Sequence, residues 1–319
     1  MNFQSMNYFL QVAEKRSFSQ AAEALYITQQ TLSAAIASLE KEVGCPLFVR
    51  HIPLELTYGG ELFRQYARSM LQMHEHMLRD FAEIREEVRG RLRVGIAINR
   101  GRLLMPAVIR AFHETWPLVE VEIDEHGNDE LMTVLAEGGI DLAIANFTGT
   151  PHGTVLEDFY TDEVVLAISE KLLQETFGSR TEEVKAGLLA SQDIRLLSGI
   201  PFLMSKAQGV AGRIGRSLIR QARITPAVRA TSGNLETLME MCVLGEGACF
   251  CAENLLRNLF PAARAEDLFL LHFPGRETVY SVRFGWLQEE KEWKIRRAFI
   301  DTAKRVFPAG ALPLSAERN

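Results

Sequence analysis

The 319-residue chain reads as an α/β protein with a small helical head at its N-terminus. Three changes in hydrophobic period predict this. Apolar residues recur at helical spacing in short blocks through residues 1–58. A single unbroken 3/4 step then runs through 59–89. From residue 90 to the end, two-residue strand alternation and helical blocks take turns.

In the first region Met6, Phe9, Leu10 and Ala13 give an amphipathic helix, and Phe18, Ala21, Ala22 and Leu25 a second. A third carries Leu32, Ile36, Leu39 and Val43 on one stripe, with Thr28 as N-cap, Gly44 just past its end and Pro46 beyond. The segments 47–50 and 54–56 read as two short strands around a turn. In the second region Phe63, Tyr66, Met70, Met73, Met77, Phe81, Ile84 and Val88 form one apolar seam on a long helix. A second copy of the chain would bury it; packing on the chain's own domain is the other way to do so.

The third region opens on the strand Leu92, Val94, Ile96, Ile98, followed by a loop at 98–102 and a helix over 103–115. Further strands are expected at 119–123, 140–145, 164–168, 201–204, 248–252, 268–273 and 279–287, with a closing helix at 291–306. Such alternation predicts largely parallel sheets. The tail after Phe307, with Pro308, Gly310 and Pro313, is expected to fray.

Composition bounds the function. Hydrophobic residues make up 47% and the net charge is −6, which argues against a protein that coats nucleic acid over its whole surface. A small reading head is still compatible, because only the contacting face matters. Cys45, Cys242, Cys249 and Cys251 form no repeated CxxC pattern and fit reduced thiols. Cys249-x-Cys251 puts two thiols on one strand face, where inert packing outweighs redox sensing. No secretory signal and no apolar run of membrane-spanning length is read, so a cytoplasmic protein without membrane contact is expected. His74-x-His76 has the wrong spacing for one helical face, so no metal site is expected there. Gly209-x-x-Gly212-x-x-Gly215 lacks the opening of a dinucleotide fingerprint. No nucleophile elbow, P-loop or HExxH stretch occurs. No enzyme activity and no cofactor is therefore expected.

The segment from Ser17 to Glu40 carries the sharpest signal. Small Ala21 and Ala22 let two helices approach. Leu25 and Ile27 bracket a short turn, and Leu32, Ile36 and Leu39 back the next helix. Gln29, Gln30, Thr31 and Ser33 are left outward near its N-terminus, as on a recognition helix in a major groove. The stretches FLQVAEKRSFSQAAEAL, ITQQTLSAAIASLEKEVGCPLFVR and LELTYGGELF resemble the winged helix-turn-helix of LysR-type transcriptional regulators. RLRVGIA, EGGIDLAIA and SGNLETLMEMCVLGEGACF resemble recurrent stretches of that family's effector-binding domain.

The resemblance implies a winged helix-turn-helix DNA-binding domain at 1–58, a dimerising linker helix at 59–89 and an effector-binding domain at 90–319. The last would be two α/β subdomains similar to periplasmic binding proteins, about 90–161 with 268–306, and about 162–267. It implies DNA contact by Thr28, Gln29, Gln30, Thr31, Ser33 and Arg50. Ala34 stands where a basic residue is common, and Gln30 where proline is common. The region 1–58 carries four Lys and Arg against five Glu, a net charge of −1. One head alone should therefore bind weakly and need a second for avidity.

Effector contact is implied at Asn99, Arg100, Asn128, Met204, Ser205, Lys206, Thr231 and Ser232. The expected effector is a small anion bonded by Asn99, Arg100 and Ser205; the alternative is that Arg100 and Arg102 are solvated or salt-bridged. Double-stranded DNA, the effector, a second copy of the chain in a dimer or tetramer, and RNA polymerase are the implied partners. A pure interaction protein and an enzyme with an accessory head are the rival readings.

Overall fold

The computed structural model describes residues 1–49, 51, 54–84, 89–206, 209–260, 267–274, 277–289 and 292–308. The chain forms two compact units: Met1–Gly90 with Ala136–Gly139, and Arg91–Leu135 with the described residues from Ile140 onward.

The first unit begins with helix α1, Phe3–Lys15, closed at its start by a capping box. The Ser5 N–H donates to Asn2 Oδ1 at 2.8 Å and the Asn2 N–H to Ser5 Oγ at 3.1 Å. Helix α2, Phe18–Ala24, is capped by Ser17. Helix α3, Gln29–Val43, follows a turn in which Tyr26 takes a left-handed φ of 55°. Thr28 caps α3, and Gly44 ends it with φ 85°, a conformation glycine adopts without strain.

The strands β1, Phe48–Val49, and β2, Glu55–Leu56, pair antiparallel. Glu40 ties this hairpin to α3: its Oε1 accepts the Leu47 N–H at 2.7 Å and the Phe48 N–H at 3.3 Å. Helix α4, Tyr58–Ile84, then starts against the hairpin, where a Cβ on Gly60 would collide with the Leu47 carbonyl. Met6, Phe9, Val12, Ala21, Ala22, Leu32, Ile36 and Leu39 close one core with Phe63 and Ala67 of α4.

This divides the predicted seam of α4. Phe63 faces the head, edge-on to Phe9 at 4.8 Å, while Tyr66, Met70, Met73, Met77 and Phe81 are exposed. Phe63 shares the 3/4 step of the exposed residues, so the same periodicity serves two different neighbours. Val88 lies outside the described residues.

The second unit is built on one sheet. Its strands are β3 (Gly90–Ala97), β4 (Val119–His126), β5 (Leu142–Ala145), β6 (Thr154–Ser169), β7 (Phe202–Ser205), β8 (Val228–Ser232), β9 (Ala248–Ala252), β10 (Leu268–Leu271) and β11 (Val279–Leu287). The order is β4-β3-β5-β11-β6-β9-β7-β8, with β10 also on β6. The helices are α5 (Ile98–His113), α6 (Asn128–Ala136), α7 (Glu170–Phe177), α8 (Thr181–Ser191), α9 (Val210–Ala222), α10 (Leu235–Val243), α11 (Glu253–Leu259) and α12 (Lys294–Val306).

Strand β6 is the spine. Its first half, through Glu163, pairs with β11, and from Val164 it pairs with β9 and then β10. Each half of the sheet has its own core. One gathers Leu92, Val94, Ile96, Phe112, Phe284 and Phe299; the other Leu166, Ile168, Leu203, Leu238, Phe250 and Phe273. Full burial of each such side chain contributes about 1.5–3 kcal/mol.

Three expectations need correction. The sheet is mixed rather than largely parallel: β3–β5, β7–β8 and β7–β9 are parallel, but β5–β11, β6–β11, β6–β9 and β6–β10 are antiparallel. The antiparallel pairs arise because the chain crosses between the sheet halves on strands, with no helix among the described residues between β10 and β11. For the same reason β10 belongs with the second half of β6, whereas the sequence reading groups residues 268 onward with the first subdomain.

Residues 98–102, read as a loop, form the first turn of α5, which starts directly at the strand end with Ala97 as N-cap. Pro106 lies in the interior of this helix, where it cannot donate a backbone bond.

Candidate nucleic-acid interface and ligand cleft

The N-terminus of α3 presents Thr28, Gln29, Gln30 and Thr31 exposed, with Ser33 half-buried beside them, while Leu32, Ile36 and Leu39 are buried behind. The spacing explains the split, since residues three and four apart share a helix face. Thr28 Oγ1 accepts the Thr31 N–H at 3.1 Å and lies 2.8 Å from Thr31 Oγ1, so both threonines are fixed to the cap. Ser19 Oγ donates to Gln29 Oε1 at 3.3 Å, which orients that amide from α2. Gln30 carries no such tether among the described residues and is exposed, its amide offering both donor and acceptor.

Ala34 continues the same edge, also exposed. Arg50 lies outside the described residues. Tyr26, unremarked in the sequence reading, is 96% exposed at the turn between α2 and α3. Its left-handed φ is the signal, and an aromatic in such a turn is invisible to periodicity.

The second unit holds a cavity of about 60 Å³ lined by Asn99, Arg100, Asn128, Ser205, Tyr280 and the first turn of α9. Of the effector residues expected, the structure brings Asn99, Arg100, Asn128 and Ser205 to this cavity. Met204, Thr231 and Ser232 are not among its lining residues. Thr231 is exposed, and Ser232 Oγ accepts the Asn234 N–H at 3.0 Å, a turn bond next to the α10 cap. Lys206 is exposed, its N–H donating to the Ser232 carbonyl at 2.8 Å.

Asn128 is half committed, since its Oδ1 accepts the Asn146 N–H at 3.0 Å. What sequence reasoning missed is the start of α9. Gly209 caps it without any side-chain bond, and the first backbone bond of the helix runs from the Arg213 N–H to the Gly209 carbonyl at 3.0 Å. The N–H groups of Val210, Ala211 and Gly212 are therefore left without intrahelical acceptors at the cavity wall. The glycines at 209 and 212 carry no side chain that would announce a cap.

Arg100 is buried and engaged within the chain. Its Nη2 donates to Tyr280 Oη at 2.8 Å and lies 3.8 Å from Asp162 Oδ2. The guanidinium carbon stands 5.5 Å from the Tyr280 ring centre and 5.9 Å from that of Tyr160. Burial works against its charge, but the oxygens of Tyr160, Tyr280 and Asp162 outweigh it and hold the guanidinium above its ordinary value. Burial pushes the Asp162 carboxyl up, against Arg100 and the N–H groups of Asn254 and Glu163. Burial also pushes Tyr160 up to about 12.

Arg102 Nη1 pairs with Glu236 Oε2 at 2.8 Å. Both arginines thus have partners inside the chain. A wider hollow of about 710 Å³ beside Asp193 and the end of α9 shares no residue with this cavity, and its Arg195 is taken by Asp193 at 2.7 Å.

The thiols of Cys242, Cys249 and Cys251 are buried, and burial pushes all three up, Cys242 to about 12. Burial therefore disfavours the thiolate form at all three. No helix among the described residues is long and apolar enough to cross a membrane.

Residues 3–61 match the family model of the bacterial regulatory helix-turn-helix protein, lysR family, and residues 85–308 that of the LysR substrate binding domain. The transcriptional activator IlvY of Salmonella typhimurium is 27% identical over 309 residues, covering 97% of this chain and all of the relative. The dual regulator OxyR of Escherichia coli is 29% identical over 248 residues, 77% of each. A full-length OxyR variant from Pseudomonas aeruginosa superposes with TM-score 0.67 at 20% identity over 95% of both chains. Full-length CbnR complexed with its target DNA does so with TM-score 0.61 at 20% identity, over 96% of this chain and all of CbnR.

Proposed function

The chain belongs to the LysR family and is a DNA-binding transcriptional regulator with an effector-binding domain, not an enzyme; from that premise we propose how its own residues divide the work. Regulators of this family bind DNA and small-molecule effectors and form oligomers.

Base reading falls to Gln30, with Gln29, Thr31 and Ser33 beside it and Thr28 at the cap. Glutamine offers the paired donor and acceptor that adenine presents in the major groove. The single observation that carries this reading is the exposed Gln30, untethered among the described residues, on an edge whose back is sealed in the head's core. Arg50 and the Tyr26 hydroxyl serve phosphate. The exposed seam of α4 pairs two copies, which brings two heads to half-sites about one turn, or ~34 Å, apart. The protein works in the cytoplasm and meets RNA polymerase there.

The effector is a small anion seated at the 60 Å³ cavity. Its charge faces the N–H groups at the α9 N-terminus that have no intrahelical acceptor, where the helix dipole favours an anion. Asn99, Asn128 and Ser205 add hydrogen bonds. Arg100, already neutralised by Asp162, positions Tyr280 and the strand ends rather than supplying an unpaired cation. Ligand sites usually measure about 300–1,000 Å³, so the cleft has to widen to admit its occupant.

DNase footprinting of the full chain on its own upstream DNA tests the reading, with and without a panel of small carboxylic acids. Gln30→Ala should weaken specific binding by about 5- to 150-fold, the ~1–3 kcal/mol of a bidentate base contact, with unchanged non-specific binding. At least one acid should alter the footprint, and Asn99→Ala should blunt that response. A wild-type footprint left intact by Gln30→Ala would overturn the assignment of the edge.

A further inference from the structure

Three segments of the second unit meet where β6 changes neighbours. Glu163 is the last β6 residue paired with β11, opposite Val279, and Val164 is paired with β9, opposite Ala252. Glu253 follows β9 as the first residue of α11. His272 follows Leu271, the last residue of β10. Their side chains converge. His272 Nδ1 lies 3.0 Å from Glu163 Oε2, and His272 Nε2 lies 3.9 Å from Glu253 Oε1. One donor atom from each residue falls within 4.8 Å of the other two.

We propose that Glu163, Glu253 and His272 form a binding site for a divalent cation of the zinc class, set on the hinge between the two sheet halves. Two carboxylates and an imidazole make a borderline donor set, which zinc, cobalt and manganese accept, whereas magnesium and calcium favour all-oxygen sites. Donors bonded to one tetrahedral zinc at about 2.0–2.2 Å stand roughly 3.3–3.5 Å apart; one donor atom from each of the three residues already lies within 4.8 Å of the other two, and a single nitrogen of His272 serves the ion. Three protein ligands leave further positions for water.

The surroundings already orient the ligands. Thr278 Oγ1 donates to Glu163 Oε1 at 3.4 Å, which leaves Oε2 toward the imidazole. Arg257 Nε and Nη2 hold Glu253 Oε1 at 2.7 and 2.6 Å, while Oε2 has no partner among the described residues. Glu253 can therefore bind through Oε2 without releasing Arg257. The His272 side chain is 43% exposed against 12% for Glu253, so a cation enters past the imidazole.

The position gives the site a consequence. The chain passes from the first sheet half to the second along β6, and returns between β10 and β11. Glu163 sits on the first passage and His272 on the second, so one bound cation ties both together. None of the three ligands lines the effector cavity, and neither DNA nor effector enters the test of the site.

Metal-free full-length protein is titrated with Co2+ and Zn2+, read by equilibrium dialysis and by the cobalt absorption spectrum. One cation per chain is expected, with bands of an oxygen and nitrogen environment and no thiolate charge-transfer band. His272→Gln and Glu163→Gln should each weaken binding at least 10-fold while their circular dichroism and melting in chelator match wild type. Arg257→Ala, which removes a competitor for Glu253, should bind at least as tightly. Mn2+ broadening of the His272 ring resonances in the wild-type chain gives the same answer without any substitution. No binding, equal binding by His272→Gln and Glu163→Gln, a thiolate band, or His272 resonances unmoved by Mn2+ overturns the proposal.

Discussion

Glu157 shows how much one carboxylate depends on what the fold puts around it. Arg297 donates to it from Nη1 at 2.7 Å and from Nη2 at 3.0 Å, and Lys304 Nζ lies at 2.6 Å. These partners come from α12, far along the chain from β6. The hydrogen bonds from Arg297, then those from Lys304, overcome burial and hold the carboxyl from 4.5 down to about 2. A folded value below the unfolded one means that the stabilisation is present above pH 4.5 and disappears as pH falls toward 2. Water still reaches about a quarter of the side chain, 27% by exposure, so screening keeps the gain small. Chemical denaturation of wild type and Glu157→Gln should give a constant stability difference from neutral pH down to about pH 5, closing by pH 2. A difference that persists unchanged at pH 2 contradicts the assignment. Arg100 teaches the complementary lesson. The sequence shows a cation at a strand end, but the partners that spend its charge, Tyr280 and Asp162, lie elsewhere in the chain.

At the scale of elements, local chemistry was legible and neighbour choice was not. Thr28 and Gly44 bound α3 as their side-chain chemistry demands, and the stripe at Leu32, Ile36 and Leu39 is its buried face. The polar edge at 28–33 could therefore be read directly from sequence. In the cleft, Asn99, Asn128 and Ser205 were reachable by resemblance, whereas the bare N-terminus of α9 and Tyr280 were not. A helix cap without a side chain has no residue to announce it, and Tyr280 lies on a strand distant in sequence. Strand β6 was read as five residues because only its apolar second half shows a buried run; its first half sets the adjacent pairs Glu157–Asp158 and Asp162–Glu163 among apolar residues and so shows no strand alternation. Helix α4 carries its own prediction. Phe63 and Ala67 are already buried in the head, so association must rest on the exposed Tyr66, Met70, Met73, Met77 and Phe81. Met73 is the most exposed of these at 74%, and a charge there costs the free chain little. Met73→Asp should lower the oligomer's mass in sedimentation analysis without changing the melting of the head. An unchanged mass places the interface elsewhere.

The whole molecule presents a charge problem that limits how it can hold DNA. The chain carries −6 overall, and residues 1–58 sum to −1 with only Lys15, Arg16, Lys41 and Arg50 as fixed cations. Counterion release ties salt dependence to the number of phosphates neutralised, with log K falling by about 0.9 per contact for each unit of log salt. If every one of the four cations met a phosphate, a single head would give a slope of roughly −4, and two heads roughly −7. Those are ceilings, because Lys15 lies beside Glu14 at 3.4 Å and is partly offset. Affinity therefore has to come from joining two such heads, whose local concentration replaces a strong electrostatic grip. Measured by fluorescence anisotropy over a range of salt, the wild-type slope should lie between these two limits. The Met73→Asp chain should fall to the single-head limit, with a loss of affinity larger than its loss of slope explains. A wild-type slope much steeper than −7 would mean that cations beyond residue 58 reach the duplex, and the head could no longer be treated as the whole of the DNA-binding surface.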